Sequence, residues 1–275
     1  MISAALRPYR AVLRARFQLL LQYRAAALAG FGTQCWWGAI KVMVLAAFFS
    51  GAAATPMTLS QAITYVWLAQ AFLMLLPWTA DPEIVRAVRT GDIAYERLRP
   101  LDSYWFWYAR ALARRTATPL LRSVPMVLAV GVLLPLIGFP EWGLSPPEGV
   151  QASLLFIASM TLVVALSAGI TVLMDAFTVA TLSDRGVNMI AGPLITALSG
   201  ALVPLPLLPD WLQQFLRFQP FAGLMDVPFR IYGGHLTGAG AVSGLAFQAF
   251  WILVLIGAGR LAIARVMARV QVQGG

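Results

Sequence analysis

Five carboxylates, Asp81, Glu83, Asp92, Glu96 and Asp102, stand close together in the chain, and no other stretch is as rich in acids. Paired acids at a membrane interface could serve general acid–base chemistry on a lipid headgroup. Arg86, Arg89, Arg97 and Arg99 are interleaved with them, and ion pairing is the simpler use of charges so arranged. Elsewhere the material for catalysis is thin. His235 and Cys35 are the single histidine and the single cysteine, so neither a His/Cys metal cluster nor a Cys-His pair can be assembled. His235, within Tyr-Gly-Gly-His-Leu, reads as a loop histidine, and Cys35 beside Trp36 as a packed thiol. Lys41 is the one lysine, and Ile40 precedes it where a phosphate-binding loop needs glycine. The chain therefore carries no GxxxxGK[ST] and is not expected to hydrolyse ATP, to hold a metal or to contain a catalytic residue.

Lys41 falls in the middle of an apolar run. A buried ammonium there points to a cavity, to an interhelical partner or to a snorkelling position nearer the interface. Asp175 is expected to end an apolar run at the interface. An ion-coupled transporter would carry more carboxylates at mid-membrane than this chain does.

The elements that must position these residues are membrane helices. Hydrophobic residues make up 60% of the 275 positions and charged residues 11%, against roughly 45–50% and about 25% in soluble domains. The chain reads as a single polytopic domain, all-α and integral to the membrane. Its apolar runs, judged against the ~20 residues that cross a bilayer, are 25–50, 59–78, 118–139, 152–174, 187–202 and 242–263. The fifth is the shortest and ends in a proline series. Pro119 and Pro125 are expected in the first turns of the third, where a missing donor is tolerated. The runs are continuous and do not alternate, which excludes a β-barrel.

Arginine placement gives orientation. Arg7, Arg10, Arg14, Arg16 and Arg24 precede the first run, and eight of the 20 basic residues lie between Asp81 and Arg122. Both termini are thus expected in the cytoplasm, with 81–117 as a cytosolic segment. The net charge of +9 is then a signal of topology, and nucleic-acid binding is excluded as its explanation. Residues 1–24 present Leu6, Tyr9, Leu13, Phe17 and Leu20 on one helical face and Arg7, Arg14 and Gln18 on another, as an amphipathic interface helix would; the charged region is too long for a signal peptide. Tyr104, Trp105, Phe106, Trp107 and Tyr108, capped by Asp102, predict an elbow anchored at the interface or an aromatic belt. Between the last two spans, 204–234 is too apolar for a solvated loop and too broken by proline for a span. Two short helices dipping into the outer leaflet satisfy it, the first N-capped by Asp210 and the second running over 221–232.

Taken together these features resemble the permease subunits of bacterial ATP-binding-cassette exporters of the type-2 superfamily, in particular the daunorubicin-resistance-like branch. Gly91, Ile93, Leu98, Arg99 and Pro100 are similar to the family's Gly-x-Ile-Asp-x-x-Leu-Leu-Arg-Pro pattern, with departures at Ala94 and Arg97. The series Ser199, Gly200, Pro204, Pro209, Trp211, Pro220, Phe221, Pro228 and Gly233 carries the rest. The resemblance implies a dimer of six-span subunits, a heterodimer in preference to a homodimer, in the bacterial inner membrane among its lipids. Two separate cytosolic ATPase subunits would bind ATP and Mg and drive export of a hydrophobic or amphipathic substrate.

By the same resemblance, a coupling helix over 83–90, extending toward Leu98, would enter a groove on the ATPase. Glu83, Ile84, Val85, Arg86, Val88, Arg89, Gly91, Asp92, Leu98, Arg99 and Pro100 would make that contact, with Ile84, Val85 and Val88 as its apolar part. Pro209, Trp211, Pro220, Phe221, Pro228 and Gly233 would belong to an outer gate. The other readings of the residues are an ion-coupled transporter, a membrane-embedded lipid-modifying enzyme or a non-transporting membrane partner.

Overall fold

Every described element is helical, as hydrocarbon demands of a chain whose backbone polar groups find no water at mid-depth. The structure is a computed structural model describing residues 2–51 and 55–269. Helix α1 (Ile2–Leu20) leads through a short turn into α2 (Arg24–Gly51). Helix α3 (Leu59–Ala71) opens on a capping box between Thr58 and Gln61 and ends in a tight turn at Leu73–Leu75. Helix α4 (Pro82–Thr90) is followed by a 3₁₀ stretch, Asp92–Leu98, and then by α5 (Ser103–Leu136). The chain continues through α6 (Gly149–Thr181), α7 (Arg185–Leu198), α8 (Asp210–Leu216), α9 (Asp226–Tyr232) and α10 (Gly238–Arg269). Helices α5, α6 and α10 are each long and apolar enough to cross a membrane.

Helix α6 sets the axis of the molecule. Its 33 residues measure about 50 Å at 1.5 Å per residue. At its start the Glu148 N–H donates to the Tyr232 carbonyl, and near its far end Asp175 accepts from the Asp81 N–H at 2.6 Å. Helix α9 and helix α4 therefore lie at opposite ends of the bundle. The central core gathers Trp67, Leu68, Met126, Leu166, Ile170, Met225 and Phe229. A second core around Tyr104, Trp107, Val172 and Ile263 underlies α4.

Several helix limits differ from those the apolar runs predict. Helix α5 starts at Ser103, not at position 118, because Asp102 caps it by accepting from the Trp105 N–H at 3.0 Å. The expected elbow is one unbroken helix, so Pro119 and Pro125 sit in its interior instead of its first turns. Nor do the aromatics form a belt: Tyr104, Phe106, Trp107 and Tyr108 are buried, and only Trp105 is exposed. The second run is helical only to Ala71, then turns and ends before position 78. The fourth helix continues to Thr181 and the fifth closes at Leu198. A hydropathy run marks where side chains are apolar, whereas a helix ends where its backbone is capped.

Candidate functional site

Helix α4 is shaped by its ends. Asp81 caps it by accepting from the Glu83 N–H, Pro82 occupies the first turn, and Gly91 closes it at φ 81°. That left-handed angle suits glycine, which has no Cβ to clash. The helix has two distinct faces. Ile84 is 1% exposed, and Val85 and Val88 pack partly buried against the chain's own cores. Ile84, expected to offer an apolar contact outward, thus seats the helix on the bundle, while Val85 and Val88 are half-buried. Exposed instead are Arg86, Arg89, Asp92, Arg99 and Pro100, with Tyr95 62% and Leu98 75% accessible. Tyr95 belongs to this surface though the sequence reading passed over it.

The polar underside of α4 is held by charge. Arg110, itself buried, donates to Glu83 at 2.9 Å and to Asp81 at 3.3 Å. Arg16 of α1 pairs with Glu83 and stands 3.7 Å from Asp81. Glu83 is thus engaged within the chain. Asp175 is buried and receives the Asp81 N–H. Arg89 reaches Asp184 at 2.9 Å, tying the end of α4 to the turn between α6 and α7. Glu96 accepts from the Trp107 indole at 3.1 Å and pairs with Arg99, whose guanidinium lies 4.7 Å above the Phe106 ring. Of the acids that could have served lipid chemistry, Asp81, Glu83 and Glu96 are taken up by arginine and indole partners and Asp92 accepts from the Thr90 hydroxyl, and among the described residues no group of His, Cys, Asp and Glu could hold a metal.

Just behind this cluster, the chain between α3 and α4 has no α-helix, only the 3₁₀ turn at Leu73–Leu75. Arg115, buried in α5, donates to the carbonyls of Leu76 at 2.9 Å and Met74 at 3.2 Å and to Thr171. Arg114 donates to the Ala80 carbonyl at 3.2 Å. Ser167 donates to the Leu75 carbonyl. These contacts supply the partners that non-helical backbone requires at depth. The sequence held a signal for them: Ser167, Thr171, Asp175 and Thr178 recur on one face of an otherwise apolar helix.

At the other end stand two short helices, α8 and α9, whose caps differ from those expected. Pro209, not Asp210, precedes the first helix, and Asp210 is its first helical residue. The second arm is not one helix over 221–232 but a 3₁₀ turn at Pro220–Leu224 followed by α9. The arms contrast sharply in burial. Trp211, Phe215 and Phe218 are 72%, 64% and 79% exposed, while Pro228 and Phe229 are buried in α9. Phe229 meets Tyr65 edge-on at 5.3 Å, Tyr232 donates to the Ser145 carbonyl at 2.8 Å, and Gln248 of α10 donates to the Gly223 carbonyl at 2.7 Å. Phe221 and Gly233 are half-buried at the two ends of this inner arm, and Pro209 is exposed with Trp211 on the outer one. Lys41 lies apart from both ends, donating to the Ala201 carbonyl at 2.9 Å just past α7.

Residues 37–274 match the family described as ABC-2 family transporter protein. Among curated proteins no relative matches the chain.

Proposed function

The chain belongs to the ABC-2 family of transporter proteins, and on that premise we propose that it is the permease subunit of an ATP-driven exporter of a hydrophobic or amphipathic substrate. Such permeases work with ATP-binding subunits. In this reading two cytosolic ATPases carry ATP and Mg, and a second six-span permease, a different chain in preference to a second copy, completes the complex. The six spans are α2, α3 with its following turn, α5, α6, α7 and α10, with both termini in the cytoplasm of a bacterial inner membrane. The daunorubicin-resistance-like branch is the family placement that the Gly91-to-Pro100 pattern favours.

One observation carries the proposal: α4 exposes Arg86 and Arg89 while its underside is bound through Asp81 and Glu83 to Arg110 and, through the Asp81 backbone, to Asp175. An ATPase that grips the exposed face moves a helix already fixed to α5 and α6. Closure on ATP then becomes displacement of two long helices, a rigid-body switch between arrangements. Arg86, Arg89, Asp92, Tyr95, Leu98, Arg99 and Pro100 form the gripped surface, with Gly91 as its bend. Ile84, Val85, Val88 and Glu83 transmit the movement. The hairpin of α8 and α9, including Pro209, Trp211, Pro220, Phe221, Pro228 and Gly233, serves as the outer gate.

The test is co-purification. Arg86→Glu with Arg89→Glu is expected to abolish recovery of the ATPase with the permease while membrane insertion is retained. Arg86→Glu alone, which leaves the Arg89–Asp184 pair intact, is expected to weaken it. Full ATPase recovery with substrate-stimulated hydrolysis in the double variant would sink the assignment.

A further inference from the structure

A cavity of about 470 Å³ opens between α2, α3, α5 and the end of α7, and its largely apolar wall carries several polar side chains. Lys41 and Arg122 both line it. Neither cation has a carboxylate partner among the described residues; Lys41 donates to the Ala201 carbonyl and Arg122 only to the Met74 sulfur at 3.2 Å. An ammonium offers three donors and a guanidinium five, and a thioether is a weak acceptor, so most of this donor capacity is unspent. Gln34 and Gln70, 3% and 2% exposed, stand in the same wall, and both side-chain amide atoms of Gln34, Oε1 of Gln70 and Nε of Arg122 lack a partner. Buried polar groups are normally satisfied, and a cluster of orphans around a void points to a missing ligand. Trp37 and Trp78 add apolar walls.

We propose that this cavity binds the anionic headgroup, a phosphate or carboxylate, of an amphiphile that the permease moves; the inference rests on the transporter reading above and gives its substrate class. Two unpaired cations within a low-dielectric wall favour an anion and disfavour a cationic amphiphile. The volume suits a headgroup with the first part of a chain. A second cavity shares one of its cations. Arg122 also lines a second cavity of about 410 Å³ beside α1, where Arg16 and Arg110 are paired with Asp81 and Glu83 and Arg114 stands near Leu19 and Leu20. Arg114 and Arg122, which have no carboxylate partner among the described residues, lie about 12 Å apart along α5 at 1.5 Å per residue, so an anion entering from that side would meet these two before Lys41. Gly30 completes the fit, since a Cβ there would come within 2.2 Å of the Arg122 guanidinium carbon.

The experiment is equilibrium binding of radiolabelled dodecyl phosphate to the purified permease–ATPase complex without nucleotide, with dodecyltrimethylammonium as the cationic counterpart. Wild type is expected to bind the phosphate amphiphile and to bind the cation at least tenfold more weakly. Lys41→Gln and Arg122→Gln are each expected to weaken dodecyl phosphate by about tenfold, while Lys41→Arg and Arg122→Lys retain binding. Gly30→Ala, which alters no charge, is expected to weaken it by displacing the guanidinium. Competition by phosphatidylglycerol as strong as by dodecyl phosphate identifies a bilayer lipid as the occupant, and competition by dodecyl phosphate alone identifies a single-chain amphiphile; either supports the site. Equal binding of the cation, undiminished binding in both Gln variants, or inorganic phosphate competing as well as dodecyl phosphate would overturn it. Such a failure in a complex that still contains its ATPase removes this inference alone, whereas wild-type permease that never recovers an ATPase removes the transporter reading.

Discussion

The two ends of this bundle are built from different interactions. Under α4 the ties are charged and directional: Arg110 to Asp81 and Glu83, Arg16 to Glu83, and the Asp81 backbone to Asp175. At the hairpin end the ties are aromatic contacts, as between Phe229 and Tyr65 or Phe156 and Tyr232, with a few bonds to carbonyls and the Asp226–Arg230 pair. A buried ion pair has one good geometry and loses much when it is stretched. Ring-on-ring packing tolerates sliding between nearly equal arrangements. One end is thus suited to pass on a displacement, the other to accommodate it.

The comparison can be broken most severely at Arg110. Arg110→Ala leaves Asp81 beneath α4 without its buried partner, and is expected to cost about 3–5 kcal/mol, read as a lower melting temperature in detergent and as loss of substrate-stimulated hydrolysis. A smaller loss follows at the other end. Phe229→Ala, which empties space between Tyr65 and Phe72, is expected to cost about 3 kcal/mol in the same melting measurement while ATPase recovery is preserved. Equal loss of ATPase recovery in the two variants would erase the distinction between the ends. Gly91→Ala forces a Cβ into a left-handed angle and is expected to cost about 1 kcal/mol; its sharper effect falls on ATPase recovery, because the bend sets Tyr95 and Leu98 relative to Arg86.

The smallest effect concerns pH at the hairpin. Burial first, then Arg230, lowers the pKa of His235 from its ordinary 6.5, with Glu148 acting in the opposite sense. The folded chain therefore binds this proton less readily than the unfolded chain does. Stability from this group is full above 6.5 and declines as pH falls through that value toward the lower folded pKa. A shallow fall in melting temperature on acidification, absent in His235→Gln, is the expected record.

The sequence made the helices legible because apolar runs are continuous in a membrane chain, and the two short helices α8 and α9 because proline interrupts the chain around them. What it hid has a single physical cause. Charge-based topology treats each arginine as solvated, yet Arg110 and Arg115 are buried because their partners come from helices distant in the chain. For the same reason Ile84, Val85 and Val88 read as an outward apolar contact: a nine-residue helix has one apolar stripe, and spacing alone does not say which way it turns. Asp175 looked like the end of a helix because it ends a hydropathy run; its burial depends on the backbone of Asp81 arriving from elsewhere.

Arg115 sets a limit on how the bundle can move. Buried backbone that leaves a helix needs other hydrogen-bond partners, and here Arg115 of α5 serves Met74 and Leu76 while Ser167 of α6 serves Leu75. The break between α3 and α4 is accordingly held against both long helices, most extensively by Arg115. Any tilt of α5 carries the break along with it, so the polypeptide just before α4 behaves as a hinge pin, not as slack.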